Sequence, residues 1–239
     1  TGTIDAQVQI RNSAATPTEV ELDIACAPGS SGEAVATLDD SIEVPAGLTT
    51  IHRGLRVPNP RLWDIQDPNL YRVTARLRLT DGATYERSAR CGFREFVFEN
   101  GAFRLNGKRL YLKCSHTGNC APVGLQFPPD MDMLRRDLLN VKVMGFNAIR
   151  FIAGVATRYQ LDLCDEIGLM VYEEHYGSWC LADSPKMKER YDRSLREMIL
   201  RDRNHPSITI WGLLNETPDG AVFRNAVADL PLVRSLDDT

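Results

Sequence analysis

The residues best suited to chemistry in this 239-residue chain stand where apolar runs give way to polar groups. The stretch from Arg201 to Glu216 holds an Ile-rich run between His205-Pro206 and the pair Asn215-Glu216. A buried parallel strand reads this way when it delivers a carboxylate to an open face. Glu216 can then serve as a proton donor to a leaving oxygen, provided partial desolvation raises its pKa. The same residue also suits the first turn of a following helix, favoured there by the helix dipole. Other apolar runs empty into Ser115-His116, into Arg150 and into Glu173-Glu174. A guanidinium at Arg150 can orient a neighbouring carboxylate, with Glu174 as its natural ion-pair partner, or fork onto sugar hydroxyls. Adjacent residues on a strand point to opposite faces, so at most one of Glu173 and Glu174 faces such a site. His116 suits a substrate contact or a turn cap equally. Trp211 reads as core, and Trp179, in the loop after Glu174, is the better stacking platform.

The elements that must position these groups change rhythm along the chain. From Thr3 to about Gly92, apolar and polar residues alternate in short runs, as in 6–10, 20–24 and 71–77, with Asp81-Gly82 as a hairpin turn. This predicts a β-sandwich over residues 1–94. From about Asn106 the order becomes strand, helix, strand, helix. Strands are predicted at 111–114, 147–151, 169–172 and 207–214. Helices are predicted from an Asp130 cap to Gly145 (Leu134, Leu138, Val141 and Met144 inward), at 159–167 closed by Gly168, and at 186–203. Four such units predict a parallel sheet over 95–239, open or part of a closed barrel, since eight units need about 250 residues.

A net charge of −4 gives no sign of nucleic acid or an anionic membrane as partner. No apolar stretch is long enough to cross a bilayer. The six cysteines, Cys26, Cys91, Cys114, Cys120, Cys164 and Cys180, lack metal-ligand spacing and read as small buried hydrophobes. No metal and no cofactor is expected, and the compartment is left open.

Taken in order, several motifs resemble glycoside hydrolase family 2, which includes β-galactosidases, β-mannosidases and β-glucuronidases. They are Asn59 to Trp63, Asp67 to Tyr71, Gly92-Phe93-Arg94, Phe103 to Arg109, Met144 to Arg150, Cys164 to Leu169 and Arg201 to Glu216. The resemblance implies a multidomain chain: an immunoglobulin-like sandwich, then the first four βα units of a (β/α)8 TIM barrel. It implies a retaining mechanism with two carboxylates about 5 Å apart. Glu216 matches the acid/base and Asn215 the residue that holds the substrate 2-hydroxyl. Arg150 and Glu174 match the polar shell around them, and His116 and Trp179 remain candidate substrate contacts.

Two departures shape the expectation. Many members carry Ser-His-Tyr after the second-strand arginine, whereas this sequence reads Phe151-Ile152-Ala153-Gly154, and the Cys114 to Phe127 stretch lacks a His-rich pattern. Both argue against a standard β-galactosidase. The family's nucleophilic Glu comes from its seventh barrel strand, and no Glu follows Glu216. The expectation is therefore a carbohydrate-acting segment that carries the acid/base, lacks the nucleophile and is inactive alone. A non-catalytic carbohydrate-binding or assembly module is the alternative, and self-association through exposed half-barrel edges is a further expectation.

Overall fold

The computed structural model describes residues 1–117 and 130–238. Cys120 and most of the Cys114 to Phe127 stretch lie outside the described residues. The chain divides into two compact units: residues 1–62 with 69–93, and residues 63–68 with 94–239.

The first unit is built from β1 (Gly2–Asn12), β2 (Thr18–Pro28), β3 (Ala36–Val44), β4 (Gly47–Val57), β5 (Tyr71–Leu79) and β6 (Thr84–Cys91). β1 and β4 pair antiparallel, and the other four form a sheet in the order β3-β2-β5-β6. Leu22, Ile24 and Cys26 of β2 share one core with Leu55 and Val57 of β4, joined by Ile4, Ala6 and Val8 of β1. Period-2 alternation sends these side chains to one face while Glu21 and Asp23 point away, which makes a sandwich.

The second unit opens with an antiparallel meander of β7 (Phe96–Glu99), β8 (Ala102–Leu105) and β9 (Lys108–Leu110). It continues through β10 (Cys114–Thr117), α1 (Met131–Val143), β11 (Ala148–Phe151), α2 (Arg158–Ile167), β12 (Met170–Glu174), α3 (Met187–Asp202) and β13 (Ile208–Gly212). Two short helices follow, α4 (Ala221–Ala228) and α5 (Leu230–Leu236). β10 to β13 form a parallel sheet in chain order. Its helix-side core joins Leu134 and Leu138 of α1 and Leu161 and Cys164 of α2 to Ile149, Phe151, Val171 and Ile208.

Local signals explain the helix ends. The Asp130 side chain accepts the Asp132 N–H at the start of α1. Thr157 and Gln160 close a capping box on α2, and Gly168 ends that helix in the left-handed region. Three segments differ from the sequence expectation. The first parallel strand is Cys114–Thr117 rather than 111–114, and the Asn147 side chain takes the backbone groups before it, accepting the Lys113 N–H at 2.9 Å and donating to the Tyr111 carbonyl at 2.9 Å. Met144 is exposed at the C-cap of α1, as is Val143 in the last turn. β12 runs on to Glu174, so both glutamates sit on the strand itself.

The stretch 63–68 serves the second unit. Trp63 is fully buried, donates its indole N–H to the Asp165 carbonyl at 2.9 Å and accepts from Asn106 at 3.0 Å. Lys142 donates to the Ile65 carbonyl at 2.6 Å.

Candidate active site

The carboxyl ends of β11, β12 and β13 converge on Arg150. Its Nε donates to Glu174 at 2.6 Å and its Nη2 to the Asn215 Oδ1 at 2.8 Å. Glu174 has no solvent exposure and takes a further bond from the Ala153 N–H at 2.7 Å. Burying a carboxylate costs its hydration, and Arg150 and Ala153 offset that cost with charge and hydrogen bonds. The Arg150 guanidinium lies 4.9 Å from the centroid of the Tyr172 ring. That ring has room because position 212 is glycine: a Cβ there would fall 2.1 Å from Tyr172 and 3.0 Å from Glu174. Parallel register sets His116 beside Arg150, on β10 rather than in a loop, with its side chain exposed.

Glu173 points to the opposite face, as strand geometry requires. One of its oxygens accepts the Ala156 N–H at 2.8 Å, and the other is buried with no hydrogen-bond partner among the described residues. Arg201 is committed to Asp202 by bonds of 2.7 and 2.6 Å and stays 3.9 Å from Glu173. Burial first, and then the Asp202 charge, push the Glu173 carboxyl up to about 8. Burial therefore favours the neutral form of Glu173.

Asn215 and Glu216 lie beyond the end of β13, which stops at Gly212. Asn215 is buried and anchored at its backbone: its N–H donates to the Gly177 carbonyl at 2.8 Å, and its carbonyl accepts the Trp179 N–H at 2.9 Å. Ser178 thus pairs with Asn215 as a parallel bridge past the sheet proper. With its Oδ1 held by Arg150, the side-chain amide of Asn215 keeps its N–H groups for an outside acceptor.

Glu216 departs from the sequence expectation of a half-desolvated proton donor. It is exposed, makes no side-chain hydrogen bond to a described residue and has a left-handed φ of +49°. The physical reason is its place: it follows the outermost strand of the parallel sheet, so no described strand flanks it on the far side. Ala153, at φ +47°, is the second non-glycine residue near these strand ends in that sparsely populated region.

Trp179 is 65% exposed in the same loop, next to exposed Tyr176. Trp211 is half-buried against both helix-side clusters and bonds Asp237 at 2.8 Å, in keeping with a core role. His175 and Gly177 escape a reading of the sequence, because Ser194 and Asn215, which they also bond, are distant in the chain. The visible signal was a glycine placed shortly after a strand-ending glutamate.

Among the described residues, Asp162, Asp165 and His205 bring potential metal ligands within 4.8 Å of one another. Asp165 meets His205 at 2.6 Å and accepts from the Ser207 hydroxyl at 2.6 Å and its N–H at 3.1 Å. These contacts tie α2 to the start of β13.

Comparison with known proteins gives the family. The family model described as glycosyl hydrolases family 2, TIM barrel domain, matches residues 96–239, and that described as glycosyl hydrolases family 2 matches residues 1–94. The chain belongs to glycosyl hydrolase family 2. A β-galactosidase of Thermoanaerobacterium thermosulfurigenes is 35% identical over 170 residues, covering 68% of this chain and 23% of that protein. Bacteroides uniformis β-glucuronidase superposes with a TM-score of 0.85 at 29% identity, over 99% of this chain and 30% of its own. A family 2 β-galacturonidase of Eisenbergiella tayi, bound to galacturonate, gives 0.81 at 31% identity, over 98% and 42%. The chain therefore spans well under half the length of these relatives. The family assignment makes the two units a sandwich domain and a partial TIM-barrel region.

Proposed function

We propose that this chain carries the acid/base half of the catalytic centre of a retaining β-glycosidase. Residues 1–94 would be the immunoglobulin-like domain, and residues 95–239 the first four βα units of the barrel. The observation that carries this reading is the double engagement of Arg150, which holds the Glu174 carboxylate and the Asn215 amide together at adjacent strand ends. Asn215 then offers its free N–H groups to the substrate 2-hydroxyl, and Glu216, the next residue, protonates the glycosidic oxygen and later activates water. His116 and Trp179 would contact the sugar. The pKa elevation that an acid/base needs would come from enclosure by groups beyond the described residues and by substrate itself. Double displacement also needs a nucleophile. Residues 217–239 contain no glutamate, and we place the nucleophile outside residues 1–239.

The test is leaving-group dependence in the full-length protein. Glu216→Gln should lower kcat/KM on alkyl β-glycosides by about 10²–10⁴-fold and leave kcat/KM on dinitrophenyl glycosides, whose leaving group needs no proton, much less affected, although their kcat falls because deglycosylation loses its base. Equal loss on both substrates would remove Glu216 from the acid role. Residues 1–239 alone should not turn over aryl β-glycosides, and robust hydrolysis abolished by Glu216→Gln would overturn the placement of the nucleophile. The exposure of Glu216 favours a second reading, a non-catalytic carbohydrate-binding module. Calorimetric titration showing sugar binding by a full-length protein without turnover would select it.

A further inference from the structure

Asn215 is held at both ends, and one of the two holds traces back to the residue that follows β12, whose own N–H donates to the Gly212 carbonyl at 2.8 Å. His175 is buried at the end of β12, with its ring edge-on to Tyr191 at 4.4 Å. Its Nδ1 accepts the Gly177 N–H at 3.2 Å, which requires that nitrogen to be unprotonated. The proton then resides on Nε2, which faces the Ser194 hydroxyl at 2.7 Å. Ser194 passes its own proton on to the Arg190 carbonyl at 2.8 Å, so the direction of the whole chain is set. Burial lowers the His175 pKa to about 4, which keeps the ring in this neutral form.

Gly177 is the residue whose carbonyl receives the Asn215 N–H at 2.8 Å. It cannot be replaced in place, since a Cβ would lie 2.5 Å from the Leu213 carbonyl and 2.9 Å from the Tyr191 ring. Tyr191 in turn donates to that Leu213 carbonyl at 2.7 Å. Residues 213 to 215 therefore sit in a cage of α3 and the 175–179 loop, with His175 as the group that fixes the loop's turn.

We propose that His175 is a positioning residue for Asn215, acting as the Nε2–H tautomer through Gly177. It fixes the backbone of Asn215 while Arg150 fixes the side chain, so the amide N–H groups keep one direction. The catalytic consequence rests on the function proposed above; the positioning itself does not.

The experiment has two arms. Amide hydrogen exchange on the folded protein reads the clamp without reference to catalysis. His175→Leu should accelerate exchange at the Asn215 and Trp179 amides by roughly tenfold, the loss of a buried acceptor, and leave Val171 and Glu174 protected. His175→Asn, which returns an acceptor near Nδ1, should restore most of the protection. If His175→Leu does not fold, Ser194→Ala and His175→Asn carry the arm, with acceleration at Asn215 and Trp179 expected from the first only. Unchanged protection at both amides in every folded variant overturns the proposal, and so does acceleration spread evenly over the sheet.

The second arm compares an aryl β-glycoside with its 2-deoxy counterpart. Asn215→Ala should erase the preference for the 2-hydroxyl, and its failure to do so would count against the proposed function and not against the clamp. Given that loss in Asn215→Ala, His175→Leu should lower kcat/KM on the hydroxylated substrate by tenfold or more and on the 2-deoxy substrate by less than about twofold. A proportional fall on both overturns the positioning role.

Discussion

Arg150 donates to Asn215 at 2.8 Å while its Nε holds Glu174 at 2.6 Å, so one guanidinium fixes the end of β12 to the loop that follows β13. A lysine cannot reproduce that fork, because it carries a single point charge on a flexible stem. Arg150→Met should leave the Glu174 carboxylate buried and uncompensated and cost about 3–5 kcal/mol of stability. Arg150→Lys should recover part of the stability but not the activity. Thermal melts and kcat/KM on the same preparations check both, and an unchanged Tm in Arg150→Met would contradict the buried ion pair.

Glu173 predicts a pH dependence of stability. Its carboxyl titrates near 8 in the folded chain against an ordinary 4.5. Between those values the folded state holds a proton that the unfolded state has released, so raising the pH across that window destabilises the fold. His175 acts oppositely: between about 4 and 6.5 the unfolded chain binds a proton that the folded chain refuses, so stability rises there. In Glu173→Gln the falling contribution disappears. Urea titrations from pH 4.5 to 8.5 should show the variant gaining on the wild type by a few kcal/mol as pH rises. A pH-independent difference would rule out a neutral Glu173.

Gly212 and Tyr172 should behave as a coupled pair. The missing Cβ leaves space that the Tyr172 ring fills, 2.1 Å from where that atom would stand. Gly212→Ala should destabilise by about 1–3 kcal/mol through overpacking. In a Tyr172→Leu background the cost should shrink, giving a coupling energy of at least about 0.5 kcal/mol in a double-mutant cycle. Strict additivity would show that the two groups do not meet.

Ala153 holds a left-handed φ of +47° while its N–H bonds Glu174. Ala153→Gly removes the Cβ strain and keeps that bond, so denaturant unfolding should show a gain of about 0.5–1 kcal/mol, whereas Ala153→Val should lose more than that. A loss in Ala153→Gly would mean the backbone there is unstrained.

β10 and β13 each lie at an edge of the parallel sheet among the described strands. Residues 1–239 in isolation should self-associate through such edges. Sedimentation at increasing concentration checks this, and a monomer throughout removes the idea.

Much of this was legible before any coordinates. The apolar runs through Ile149, Val171 and Ile208 announce buried parallel strands, and Asp130, Thr157 and Gly168 mark helix ends by local chemistry alone. The separation of Glu173 from Glu174 follows from the two-residue period of a strand. Where the reading failed, the deciding partner was remote. Tyr111 to Lys113 looks like a strand until the Asn147 side chain takes the Tyr111 carbonyl and the Lys113 N–H. The exposure of Glu216 depends on what flanks β13, and the Ser178 to Asn215 bridge joins two loops that share no sequence pattern.

The stretch 63–68 has a consequence for how this protein can be divided. The polypeptide leaves its first unit at Leu62, lends six residues to the second, and returns at Asn69. No single scission therefore frees an intact barrel portion, because one that starts at Arg94 forfeits the tryptophan seated on Asp165. Recombination that swaps sandwiches between relatives must carry that tongue in matched form or leave a hole where the indole belongs.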